Sequence, residues 1–155
     1  MNRVKARRMA FEMIFEYGFG NHSAEDILAL RRAEETELDD YSVAMLIACE
    51  SRHSEVDAVI EKNSVGWTVA RMSYVTAAVL RLAVCELLCA DDIPTRVTVN
   101  EAVELAKGFE GEECASFVNG VLGAVVNELP KKAVDDLPQP AEDKAENEPE
   151  SETKE

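Results

Sequence analysis

Apolar residues recur at three- and four-residue steps along the chain as far as Leu129, and this spacing predicts helices. Ala6, Met9, Ala10, Met13, Ile14 and Tyr17 mark the buried face of a first helix over 4–17, with Phe11 and Phe15 one turn apart beside it. Gly18 and Gly20 stop it. Ser23 opens a short helix to about Arg32. Val43, Leu46, Ile47 and Cys49 carry the next pattern, over 41–52. Ser54 is the expected cap of a further helix whose Val56, Val59 and Ile60 face inward, and Trp67 is the expected core anchor after it. The stretch 74–90, opened by Ser73, is apolar nearly all round, so it should be buried on most sides. Its two charges, Arg81 and Glu86, must tip outward or find partners. Thr98-Val99-Asn100-Glu101 fits the S/T-x-x-E capping box, which places a helix start at Thr98. Val99, Ala102, Val103, Ala106 and Phe109 form its apolar stripe. Phe117, Val118, Val121, Leu122, Val125 and Leu129 repeat the pattern once more. Gly120 and Gly123 lie inside this last helix at about 1 kcal/mol each against alanine, and close approach of a neighbouring helix is the expected reason. No stretch alternates at period two for long enough to predict a strand. The expected class is all-α, with about seven helices.

The pattern ends at Leu129. Beyond it, Pro130, Pro138, Pro140 and Pro149 punctuate a segment rich in Glu, Asp and Ala. Such a composition cannot bury enough surface to offset its ordering entropy. The expected organisation is therefore a folded domain over 1–130 and a disordered acidic tail over 131–155, dispensable for folding.

Charge alters the picture at the other end. The chain of 155 residues carries a net charge of −15, which argues against a protein that coats nucleic acid unaided. Yet residues 1–8 hold four basic side chains, Arg3, Lys5, Arg7 and Arg8, and no acid. Residues 9–130 hold 8 basic and 22 acidic residues. Cations at a helix N-terminus oppose its macrodipole, so stability does not explain them. Contact with an anion or with RNA does; a solvated basic face is the alternative. The acidic body suits a basic protein partner.

Other chemistry is sparse. Of Cys49, Cys85, Cys89 and Cys114, three are spaced like core residues, and His22 and His53 offer no ligand spacing with them, so buried reduced thiols are expected and no metal. There is no Gly-rich phosphate loop, no G-x-S-x-G and no H-E-x-x-H, so neither an enzyme nor a cofactor is expected. No run approaches 18 apolar residues and no signal-peptide core is present, which points to a cytoplasmic protein without a membrane span.

Three blocks carry a family resemblance: A-V-L-R-L-A-x-x-E-L from Ala78, then Ile93-Pro94 followed by V-x-V-N-E-A-V-E-L-A-K-x-F from Val97, then F-V-N-G-V-L from Phe117. In this order and spacing the chain resembles the NusB family of transcription antitermination factors over about residues 3–129. The resemblance implies a fold of two small helical bundles. It also implies pairing with NusE, a small ribosomal protein, and joint binding of boxA RNA within an RNA polymerase antitermination complex. By the same resemblance, Arg3, Lys5, Arg7, Arg8 and Phe15 would contact RNA, and Thr76, Glu113 and Phe117 the partner. Phe15 stands where the family usually has Tyr, keeping stacking without the hydroxyl. Glu113-Cys114 stands where it usually has Asp-Ser. A free state as monomer or homodimer is implied, and a homodimeric interaction module without RNA binding is the alternative function.

Overall fold

The computed structural model describes residues 1–137; the sequence expectations for 138–155 fall outside the described residues. Seven α-helices follow one another: α1 (Arg3–Tyr17), α2 (Ala24–Ala33), α3 (Asp40–Ser51), α4 (His53–Lys62), α5 (Tyr74–Cys89), α6 (Thr95–Glu110) and α7 (Glu112–Glu128). Among the described residues there is no strand. α1 to α4 form one bundle and α5 to α7 the other, with α5 packed against α1, α3 and α4 on one side and α6 and α7 on the other. This position explains its composition: every residue from Thr76 to Leu87 is buried.

Local signals fix most of the helix starts. Asn2 Oδ1 accepts from the Lys5 amide at 2.8 Å to open α1. Ser23 and Asp26 form a reciprocal capping box at α2, and Ser73 Oγ accepts from the Thr76 amide at α5. Two expected caps are not used. α4 begins at His53 directly after α3, so Ser54 lies inside its first turn and is exposed. α6 begins at Thr95, three residues before the expected Thr98, because Pro94 supplies the helical approach at φ −61° and a distant acid supplies the cap.

That acid is Asp135. Residues 131–137 do not trail away from the domain; they clasp it. Asp135 accepts from the Thr95 amide at 2.8 Å and from its hydroxyl at 2.6 Å. Lys132 Nζ donates to the carbonyls of Ala90 at 2.7 Å and Ile93 at 3.0 Å, with Glu86 O at 3.4 Å. One short segment thus satisfies the first amide of α6 and adds a cation to the carbonyls at the end of α5 and the loop after it. Lys132 and Asp135, expected to lie in the dispensable tail beyond residue 130, are thus in contact with the ends of α5 and α6.

Several burial expectations also change. Trp67 is 47% exposed and Phe109 43% exposed, so neither anchors the core. Ile47 and Cys89 face outward, Cys89 with Arg52 Nη1 at 3.2 Å. Asn119 and Gly120 are exposed, and a Cβ added at Gly120 or Gly123 would meet no atom within 4 Å. Close approach therefore does not account for these glycines. Gly120→Ala should raise stability by about 0.5–1 kcal/mol, read as an increase in thermal midpoint, since only the helix-propensity cost of glycine is removed. A lower midpoint would restore a packing role.

Candidate nucleic-acid interface

The four N-terminal cations share one helix but not one environment. At 100° per residue, Arg3 and Arg7 share a face while Lys5 and Arg8 point elsewhere. The Arg3–Arg7 face turns towards α3 and α5. Arg7 is 6% exposed, and its guanidinium meets Glu86 in a two-pronged pair, Nε to Oε1 at 3.1 Å and Nη2 to Oε2 at 3.2 Å. Glu86, 1% exposed, also accepts from the hydroxyls of Tyr41 and Thr98. Four helices therefore converge on one carboxylate. Burial works against a charged Arg7, but the hydrogen bonds and charge of Glu86 outweigh it and hold its pKa above the ordinary value. Arg7, expected among the RNA-contacting residues, is almost wholly enclosed and commits Nε and Nη2 to Glu86, while it also borders the groove between α1 and α6.

Arg3, Lys5 and Arg8 remain exposed. Arg3 lies over the ring of Tyr41, with Cζ 4.6 Å from the centroid. Lys5 and Arg8 line a groove of about 490 Å³ between α1 and α6, floored by Val4, Met9 and Leu105 and edged by Glu101 and Glu104. Arg8 is shared between Glu12 at 3.5 Å and the face of Phe109, whose centroid lies 4.9 Å from Cζ.

Phe109 begins a ridge of aromatic rings. It meets Phe11 at 4.9 Å, Phe11 meets Phe15 at 6.1 Å, Phe15 meets Phe19 at 5.0 Å and Phe19 meets Tyr74 at 4.4 Å between centroids. Phe15 is half-buried in the middle of this ridge, while Phe19 and Tyr74 are about half exposed. The ridge runs from Arg8 to the start of α5. The structure thus joins Phe15 to Arg8 through intervening rings, and leaves Arg3 on the other flank of α1.

At the far end of the ridge, the expected partner residues gather around a pocket of about 370 Å³ lined by Trp67, Arg71, Thr76, Glu113, Cys114 and Phe117. Glu113 is exposed in the first turn of α7, and half-buried Phe117 meets Trp67 edge-on at 6.3 Å. Thr76 is buried, its hydroxyl 3.3 Å from Glu110 Oε1 and 3.1 Å from Cys114 Sγ. It supports the pocket from beneath. Sequence reasoning missed Tyr41, Phe19, Tyr74 and Trp67 as surface features. The spacing of Phe11, Phe15 and Phe19 at four-residue steps was the available signal for the ridge. Among the described residues no cluster of His, Cys, Asp and Glu could hold a metal ion.

The sequence pattern of the NusB family matches residues 4–127. The chain belongs to the NusB family. The transcription antitermination protein NusB of Rubrobacter xylanophilus is 42% identical over 138 residues, spanning 89% of this chain and 99% of its own length. That of Natranaerobius thermophilus is 40% identical, over 84% of this chain and 99% of its own. Among solved structures, T. maritima NusB superposes with a TM-score of 0.77 at 30% identity, covering 88% of this chain and 99% of its own. A crystal structure of the antitermination factors NusB and NusE in complex with dsRNA superposes with a TM-score of 0.70 at 26% identity, over 83% of this chain and 100% of its own. The NusB family consists of transcription antitermination factors, not enzymes, and the two-bundle helical fold expected from the resemblance is the one observed. No helix among the described residues is long and apolar enough to cross a membrane.

Proposed function

We propose that this NusB-family protein binds boxA-type RNA together with a NusE-like ribosomal protein. In this reading the pair helps RNA polymerase read through terminators, notably in ribosomal RNA operons, in the cytoplasm. The observation that carries this reading is the trio Arg3, Lys5 and Arg8, exposed at the helix end where the macrodipole disfavours cations. RNA phosphates provide what stability does not. Around the buried Phe11, the exposed Phe109, Phe19 and Tyr74 and the half-buried Phe15 offer ring faces for unstacked bases. A basic partner suits the far pocket, where Glu110 and Glu113 flank Trp67 and Phe117. The partner would cover acid that otherwise repels RNA and add contacts of its own, so the protein alone should bind RNA poorly.

The test is a titration of boxA-type RNA with partner present, across a salt series, for the native chain and for the Lys5→Ala, Arg8→Ala double variant. Two lost phosphate contacts should weaken binding and lower the salt slope by about 1.4 on single-stranded RNA. An unchanged affinity and slope would remove the basic end from the interface and favour a homodimeric interaction module without RNA binding.

A further inference from the structure

Arg3 is the first residue of α1, at the end of a long flexible side chain on an exposed surface. A free arginine of this kind loses rotamer freedom when it grips a ligand, and that loss subtracts from affinity. Here the freedom is already restricted. The Arg3 guanidinium lies 4.6 Å above the Tyr41 ring, and Arg7 lies 5.8 Å from the same ring. A guanidinium stacked on an aromatic face keeps its in-plane N–H groups at the edge, where they can still donate.

The residue is itself held at its backbone and at the tip of its ring. The Tyr41 amide donates to Asp39 Oδ1 at 2.8 Å. The Tyr41 hydroxyl donates to Glu86, which Arg7 and Thr98 hold in turn. Burial, reinforced by the charge of Glu86, raises the Tyr41 pKa, so the hydroxyl stays protonated and keeps donating. The chain of contacts runs from the buried carboxylate through the tyrosine to an exposed cation.

We propose that Tyr41 is a positioning residue for RNA binding: its ring, locked to the buried Glu86, presents the Arg3 guanidinium edge-on to a backbone phosphate. This rests on the RNA-binding reading above. It also gives the Arg7–Glu86 pair a second consequence, since the pair braces the tyrosine that aims Arg3.

The test uses the full chain, with the same RNA and partner as above, in five forms: native, Arg3→Ala, Tyr41→Leu, the double variant, and Tyr41→Phe. Arg3→Ala should weaken binding roughly two- to tenfold, the range set by immobilising one rotamer-rich side chain. Tyr41→Leu should weaken it similarly, and the double variant should be no worse than either single one. Tyr41→Phe keeps the ring face but loses its tie to Glu86 and melts earlier, so it should bind RNA more weakly than native yet more tightly than Tyr41→Leu. A merely structural tyrosine would instead give RNA affinity that simply follows the melting temperature. Additive losses in the double variant would overturn the proposal. An unaffected Arg3→Ala would also overturn it; if Lys5→Ala, Arg8→Ala still loses RNA, the RNA-binding function survives that result. Should Tyr41→Leu fail to fold, the native protein supplies the decision. The Arg3 Hδ resonances should be shifted upfield by the ring current of Tyr41, and ordinary random-coil positions would overturn the proposal.

Discussion

Replacing Glu86 with alanine is expected to cost about 3–5 kcal/mol, enough to leave much of the population of a marginally stable domain unfolded. The reason is the partners left behind. Arg7 would keep a guanidinium that is almost wholly enclosed, with only Glu101 at 4.0 Å to balance it. Tyr41 and Thr98 would keep donors aimed at an empty site. An unpaired buried charge is penalised far more heavily than a lost surface pair. Urea denaturation followed by circular dichroism measures the effect, and a loss below about 1 kcal/mol would show that the carboxylate is not the hub the geometry makes it. The same experiment separates the arginines. Arg7→Ala, which strands the carboxylate, belongs with Glu86→Ala, whereas Arg8→Ala should leave stability almost unchanged because its ion pair with Glu12 is exposed.

The second large effect is expected from cutting the chain after Pro130. Lys132 makes charge-assisted hydrogen bonds of the kind worth about 1.5–3 kcal/mol each when fully enclosed, discounted here because the ammonium is only partly buried. Loss of a side-chain cap such as Asp135 typically costs about 0.5–2 kcal/mol. Together the clasp should contribute roughly 2–4 kcal/mol. Comparing a cut after Pro130 with a cut after Leu137 isolates it, because the second keeps both residues. Equal melting temperatures for the two truncated chains would show that the clasp does not stabilise the fold. Its pH dependence has a definite sign. Burial opposes the charged Asp135, but hydrogen bonds from the Thr95 side chain, the Thr95 amide and the Lys132 amide outweigh it and lower the pKa. The stabilisation is therefore complete above the ordinary aspartate pKa of about 3.9, and it is lost as pH falls through the lower value of the folded state.

What could be read from the sequence follows from the range of the interactions involved. Helix existence is a local property, and the three- and four-residue spacing of apolar positions located all seven elements. Caps made within a few residues, at Ser23 and Ser73, were equally legible. The start of α6 was not, because its cap comes from Asp135, 40 residues away. The local Thr98-x-x-Glu101 pattern pointed to the wrong residue, since Thr98 is committed to Glu86 instead. The basic end was legible as composition but not as geometry. Four cations in eight residues imply one patch, yet helical rotation sends Arg7 inward to a carboxylate 79 residues distant. Trp67 shows the limit of residue type as a guide: the same ring suits a core or a surface pocket, and only its neighbours Phe117 and Arg71 decide.

α5 is the wall common to both bundles. α1 lies along it with its start near Glu86 and its end near Tyr74. Swinging either bundle open would tear buried surface from this helix. The basic end of α1 sits near Glu86, and the pocket of Glu113 and Phe117 opens beside Thr76, ten residues or about 15 Å back along the axis. On the proposed reading, a nucleic acid at one end and a protein at the other are held like two jaws on a fixed gauge. The spacing between them is then dictated by helix length, and an RNA must meet the partner in one phase rather than search for it.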